Sequence, residues 1–194
     1  MTKRPMGQMR VMPDASALEE SARAAAKGGL PPVETWDPPY CGEMDLRIAR
    51  DGTWFHEGTP IGRVALVRLF STILRREGDR FFLVTPVEKL GITVEDAPFL
   101  AVDFEAEGDA LVFVTNVGDR VRAGRGHPIR VVRDAGGEPS PYIRVRGGLD
   151  ALIDRKSFYR LVDLGETRDH EGREWFGLLS DGVFFPVIPA TELP

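Results

Sequence analysis

The chain has 194 residues, enough for one large domain or two small ones. With 42% hydrophobic and 28% charged residues it has an ordinary globular composition, and no apolar run approaches the ~20 residues that span a bilayer. A formal charge of -5 excludes a global attraction to nucleic acid or anionic membrane, and a single cysteine, Cys41, excludes an intrachain disulfide.

Residues 1–13 carry no pattern and are expected to be disordered. Lys3, Arg4 and Arg10 are followed by an Ala-rich stretch with Glu19 and Glu20, not by an apolar core, so no secretory signal is read and a cytoplasmic location is expected. Ser16-Ala17-Leu18-Glu19 reads as a capping box opening a helix that Gly28-Gly29 and Pro31-Pro32 close. Leu46 to Arg50 alternates as a half-buried strand, Asp51-Gly52 turns, and Thr53 to His56 returns. Thr59 and Pro60 suit the cap and first position of a long helix, with Leu66, Leu69, Phe70, Ile73 and Leu74 on one side and Gly78 as its stop. Arg80 to Thr85 reads as a buried strand. Leu100 to Glu105 and Leu111 to Val114 form a hairpin across Gly108-Asp109.

The second half reads in the same order. Ile129–Arg133 and Tyr142–Arg146 are strands around a Gly/Pro-rich loop. Leu149 to Ile153 is expected as a short helix and Phe158 to Leu164 as a strand. A last hairpin turns at Asp181-Gly182, echoing Asp51-Gly52. The fold expected is α+β, with a strand-strand-helix-strand-strand-strand unit used twice in antiparallel sheets. An arm and helix over 1–31 precede repeat domains at 32–116 and 117–194. Each repeat is small enough to be marginal alone, so the two should share an interface, a common place for a ligand.

Asp51-Gly52-x-Trp54-x-His56-x-Gly58-x-Pro60-Ile61-x-Arg63, the helix stretch Leu66 to Leu74, and Leu83-Val84-Thr85-Pro86-x-Glu88 resemble the bacterial family called domain of unknown function 1285 (DUF1285). Thr115-Asn116, Pro141-Tyr142, Arg146-x-Gly148-Leu149 and Ser180-x-Gly182-x-Phe184-Phe185 extend the resemblance to about Val187. It implies a duplicated core and a C-terminal half superficially like pleckstrin-homology folds. It also implies a ligand site at the seam, for a nucleotide or nucleic-acid-like ligand, and a signalling role. The chain departs from a true pleckstrin-homology domain in ending on Pro186, Pro189 and Pro194 where a capping helix would stand.

No residue constellation names a reaction, so no catalytic residue, metal ligand or cofactor is assigned. The three histidines fall at predicted turns with no metal-ligand spacing. Charge is more informative. Residues 80–109 hold two basic and seven acidic residues, whereas 110–160 hold ten basic and five acidic. Arg120 and Arg122 fall on the stretch 116–126, expected as a linker. Tyr142, Arg144 and Arg146 share one strand face by their spacing of two, an aromatic beside two guanidiniums with no acidic partner in the strand. Gly147-Gly148 precedes the expected helix start, whose free N–H groups could receive an anion; a plain tight turn is the alternative. Arg63, near the apolar side of the long helix, needs an ion pair or a cleft. Three functions stay open: a module binding a small anionic or nucleotide-like ligand at the seam, an adaptor docking an acidic partner protein on the basic strand face, and an enzyme with a seam active site.

Overall fold

The computed structural model describes residues 15–193; the N-terminal stretch without a sequence pattern lies outside them. Helix α1 (Ala15–Ala25) begins one residue ahead of Ser16, the expected cap. Glu19 instead accepts from Arg23 Nη2 and Arg63 Nη2, both at 2.7 Å, and these guanidiniums hold its carboxyl below the ordinary range. Leu18 and Ala22 are buried, which seats α1 on the core.

Strand β1 (Tyr40–Ile48) buries Met44, Leu46 and Ile48 and exposes alternate residues, as a period of two requires. It turns back into β2 (Trp54–His56). At the turn Gly52 has φ +83°, and a Cβ there would lie 2.7 Å from Asn116 Nδ2, so both the backbone and a close approach demand glycine. Glu57-Gly58, both at positive φ, then fold the chain into β3 (Thr59–Pro60), which pairs with β2. Thr59 is therefore a strand residue and not a helix cap. Helix α2 (Val64–Thr72) starts after Arg63 and stops well before Gly78. The rest of the expected helix is strand β4 (Leu74–Glu77), antiparallel to β5 (Arg80–Val84). Pairing overrode helical periodicity there, because it buries Leu74 against the sheet and Arg75 beneath the chain. Strand β6 (Lys89–Val94) completes the first sheet, in the order β3-β2-β1-β6-β5-β4.

The chain reaches the second sheet between Val94 and Phe99, upstream of the 116/117 division that the repeat pattern suggests. Strand β7 (Phe99–Glu107) pairs with β8 (Ala110–Thr115) and β8 with β9 (Arg120–Arg122), then β10 (Ile129–Arg133), β11 (Pro139–Arg146) and β12 (Leu149–Ile153) follow. Arg120 and Arg122 thus lie on a strand, not on a linker. Residues 149–153 are strand, not helix. Gly147 (φ +48°) and Gly148 (φ +74°) form the hairpin turn, and Leu149, Ala151 and Ile153 point into the core. Helix α3 (Arg155–Val162) takes the place of the expected strand, capped by Asp154, whose Oδ1 accepts from Ser157 N at 2.7 Å.

The α+β duplication holds at the level of topology. Each six-stranded sheet joins two three-stranded meanders through the first strand of one and the last of the other, β1 with β6 and β7 with β12. These central pairs are parallel, so the sheets are mixed where antiparallel ones were expected. The helix position is not repeated: α2 links the meanders of the first sheet, whereas α3 follows the second. A three-stranded sheet, β13 (Glu166–His170), β14 (Arg173–Ser180) and β15 (Val183–Pro189), closes the chain. Ser180 Oγ fastens it to the second sheet, accepting from Leu111 N and donating to Ala123 O, both at 2.8 Å. One cluster of buried side chains runs from Leu18 through Phe70 and Phe99 to Phe185, so both sheets share a core.

Candidate functional site

Polar side chains sew the two sheets together. Asn116 accepts from Leu100 N at 3.0 Å and donates to Gly52 O at 3.3 Å, joining the first hairpin turn to the second sheet. Arg50 Nη2 donates to Ser140 Oγ at 2.8 Å. Tyr142 donates its hydroxyl to Asp96 Oδ1 at 2.7 Å, and Arg50 Nε lies 3.4 Å from the other oxygen of Asp96. Burial, with Asp96 beside it, pushes the Tyr142 phenol above its ordinary range.

A cleft of about 250 Å³ opens beside the Tyr142–Asp96 contact. The first sheet and its exit contribute Arg76, Asp79, Phe81 and Asp96, and the second contributes Arg130, Tyr142 and Asp150. Hairpin register explains the grouping. The loop 134–138 sets Arg130 opposite Tyr142, and the Gly147-Gly148 turn sets Arg144 opposite Asp150. The Arg130 guanidinium lies 4.3 Å from the Tyr142 ring centroid. Asp150, buried at 4% exposure, accepts from Arg130 Nη2 at 2.9 Å and Arg144 Nε at 2.6 Å. A buried carboxylate between two arginines is neutralised, and it fixes both heads.

The donor count decides what the cleft can hold. A guanidinium has five N–H groups. Arg130 and Arg144 each give one protein hydrogen bond, and Arg76 donates Nε–H to Gly78 O at 2.8 Å while its terminal nitrogens reach Gly148 O and Asp79 only at 3.4 and 3.5 Å. Two guanidiniums, Arg76 and Arg130, and three carboxylates, Asp79, Asp96 and Asp150, line the opening, with Arg144 and Arg50 paired to Asp150 and Asp96 from outside it. Arg76 and Arg130 each keep N–H groups that no protein acceptor among the described residues takes.

Not all the residues singled out in the sequence gather here. Tyr142 does, and Arg144 reaches the cleft only through Asp150. A β-bulge between Arg144 and Arg146 breaks the alternation. Arg146 therefore leaves their face, stacks 4.8 Å from the Phe99 centroid, and donates to Asp119 Oδ2 at 2.6 Å and Ser71 O at 2.9 Å. Arg63 is held by Glu19, 65% exposed, and has no contact with the cleft residues. Arg120 pairs with Glu105 and Glu107, and Arg122 with Asp109 and Asp181. Gly147-Gly148 is a hairpin turn and offers no helix start to an anion. The expectation of unpaired positive charge on the Tyr142–Arg146 face is corrected: Asp150 and Asp119 come from outside the strand. Arg76, Arg130 and Asp150 escaped the sequence reading because two of them were placed on helices. The Arg130–Tyr142 pairing follows from β11 starting at Pro139, three residues ahead of the expected strand start at Tyr142.

Family models match almost the whole described chain. Residues 31–97 match the domain of unknown function (DUF1285), N-terminal domain, and residues 98–187 match the protein of unknown function (DUF1285), C-terminal domain. The two ranges meet where the chain passes from one sheet to the other. The crystal structure of a DUF1285 family protein from Silicibacter pomeroyi DSS-3 is similar, with 60% identity and a TM-score of 0.82 over 90% of this chain and 96% of that one. A DUF1285 family protein from Shewanella baltica OS155 is 31% identical, with a TM-score of 0.51 over 62% of this chain and 91% of that one. No curated protein matches.

Proposed function

This chain belongs to the DUF1285 family, and we propose that it is a cytoplasmic binding module holding a small anion, of phosphate or carboxylate size, in the cleft between its two sheets. A nucleotide-like ligand would place its phosphoryl end there. A signalling role, with the second sheet serving as a pleckstrin-homology-like half, extends the same proposal. The observation that carries it is the pair of part-exposed guanidiniums, Arg76 and Arg130, with N–H groups to spare in a cleft that both sheets line. The adaptor reading has less support, because the arginines of the strand face have acidic partners.

A thermal-shift series with phosphate, phenyl phosphate, nucleoside monophosphates and cyclic dinucleotides tests the proposal. A ligand at a hundredfold excess over its Kd stabilises the native state by about 2.7 kcal/mol. Arg76→Gln is expected to remove that shift. The variant gives up the Arg76 Nε bond to Gly78 O at 2.8 Å as well as two long contacts, so its own stability should fall by only about 0.5–1.5 kcal/mol, the worth of one hydrogen bond. No shift with any of these anions at millimolar concentration, or a full shift in Arg76→Gln, would sink the reading.

A further inference from the structure

A second and larger cleft, of about 760 Å³, lies on the other side of Arg50, between the first hairpin turn and α3. Its size is that of a typical small-molecule site. Its floor is apolar, made by Leu100, Pro141, Leu152 and Ile153. Phe158 and Tyr159 of α3 form one wall, and Tyr159 is 63% exposed. An aromatic ring with so much free surface above an apolar floor has a face to offer a flat ring or a cation.

The rim carries more acidic than basic side chains. Asp51, Asp134, Glu138 and Asp154 face two arginines, Arg50 and Arg155. Both arginines are already engaged, Arg155 by Glu138 and Arg50 by Ser140 and Asp96. The carboxylates are held in place by backbone. Asp134 Oδ1 accepts from Gly136 N at 2.8 Å and Glu138 N at 2.9 Å, and Asp154 Oδ1 accepts from Ser157 N at 2.7 Å. Their Oδ2 atoms make no hydrogen bond among the described residues. The N-terminus of α3 opens on this cleft, but Asp154 caps it and leaves no room for an anion.

We propose that this cleft binds an organic ammonium: a primary amine, protonated at neutral pH, carried on an aromatic or apolar body. The body would lie on Leu152 and Ile153 against the Phe158–Tyr159 wall. The ammonium would sit between the Asp134 and Asp154 carboxylates. This site is separate from the anion cleft and does not depend on it.

The test compares two probes of the same skeleton and opposite charge, 3-phenylpropylammonium and 3-phenylpropionate, by amide NMR titration of the full chain. The ammonium is expected to give saturable shifts at Ile153, Arg155 and Tyr159, and the carboxylate none. Asp134→Asn with Asp154→Asn removes two charges while keeping the turn and the cap, since asparagine serves both. That variant should bind the ammonium roughly tenfold more weakly, the loss of about one charge-assisted hydrogen bond. Each single replacement, measured separately, gives the same reading if the pair does not fold. Arg76→Gln should leave the ammonium affinity unchanged, which separates this site from the anion cleft. The inference is overturned if the ammonium gives no saturable shift, if its shifts map elsewhere, if the carboxylate binds equally well, or if the Asn variants keep full affinity.

Discussion

Residues 15–97 expressed without the rest of the chain are expected to lose cooperative unfolding altogether. The first sheet has all its strands in that fragment, so hydrogen bonding is not what it lacks. What it lacks is cover. Its buried residues belong to one cluster with Phe99, Ile143, Val145 and Leu149 of the second sheet, and cutting at the junction exposes that surface. A unit of this size buries only about 60% of the surface its unfolded chain exposes, and is marginal even when intact. The cut also strands Asp96, whose partner Tyr142 is removed, and the Gly52 carbonyl, which loses Asn116. Differential scanning calorimetry of the fragment should show a broad transition or none, with dye binding to exposed apolar surface. A sharp, reversible transition with equal calorimetric and van't Hoff enthalpies would show that the sheet folds alone.

The second large effect is expected at Arg146. Arg146→Ala should lower the unfolding free energy by about 2–4 kcal/mol. Three losses combine in that estimate. Ser71 lies in the last turn of α2, where carbonyls have no partner within the helix, and Arg146 satisfies one of them. A cation there also complements the negative end of the helix. Asp119, 22% exposed, keeps only its weaker bond to Thr115 at 3.4 Å and the side chain's own hydration. The Phe99 ring loses the guanidinium stacked on it. In a chain of this length the change corresponds to roughly 5–15 °C in melting temperature. Arg146→Lys should recover part of it, because an ammonium reaches one acceptor where the guanidinium fork reaches two. A melting temperature within a degree or two of the parent for Arg146→Ala would show that the seam does not rely on this residue.

Arg146 also shows where sequence reasoning reaches its limit. Spacing of two placed it on one face with Tyr142 and Arg144, and only the bulge, set by pairing with β12, moved it to the seam. Local chemistry was legible elsewhere. The turns at Asp181-Gly182 and Gly108-Asp109, and the alternation of Leu46 to Ile48, place strands from nearby residues alone. The stretch 149–162 was read backwards, helix for strand and strand for helix, because Leu149 to Ile153 is too short for periodicity to separate the two. Gly147-Gly148 between two apolar runs and Asp154 before Ser157 were the local signals that favoured the true order. The parallel pairs β1–β6 and β7–β12 join strands far apart in sequence, and no local pattern specifies them. The anion cleft inherits that difficulty, since Arg76 and Arg130 meet only after both sheets have formed.

The anion cleft is tested most directly by anomalous diffraction from a crystal of the full chain soaked in selenate, a heavy analogue of phosphate-sized anions. The account predicts an anomalous peak between the two sheets, within about 3 Å of donor nitrogens on Arg76 and Arg130, that disappears on back-soaking with phosphate. Selenate found only on other surface arginines, or nowhere, with the Arg76–Arg130 cleft open to solvent, would contradict it.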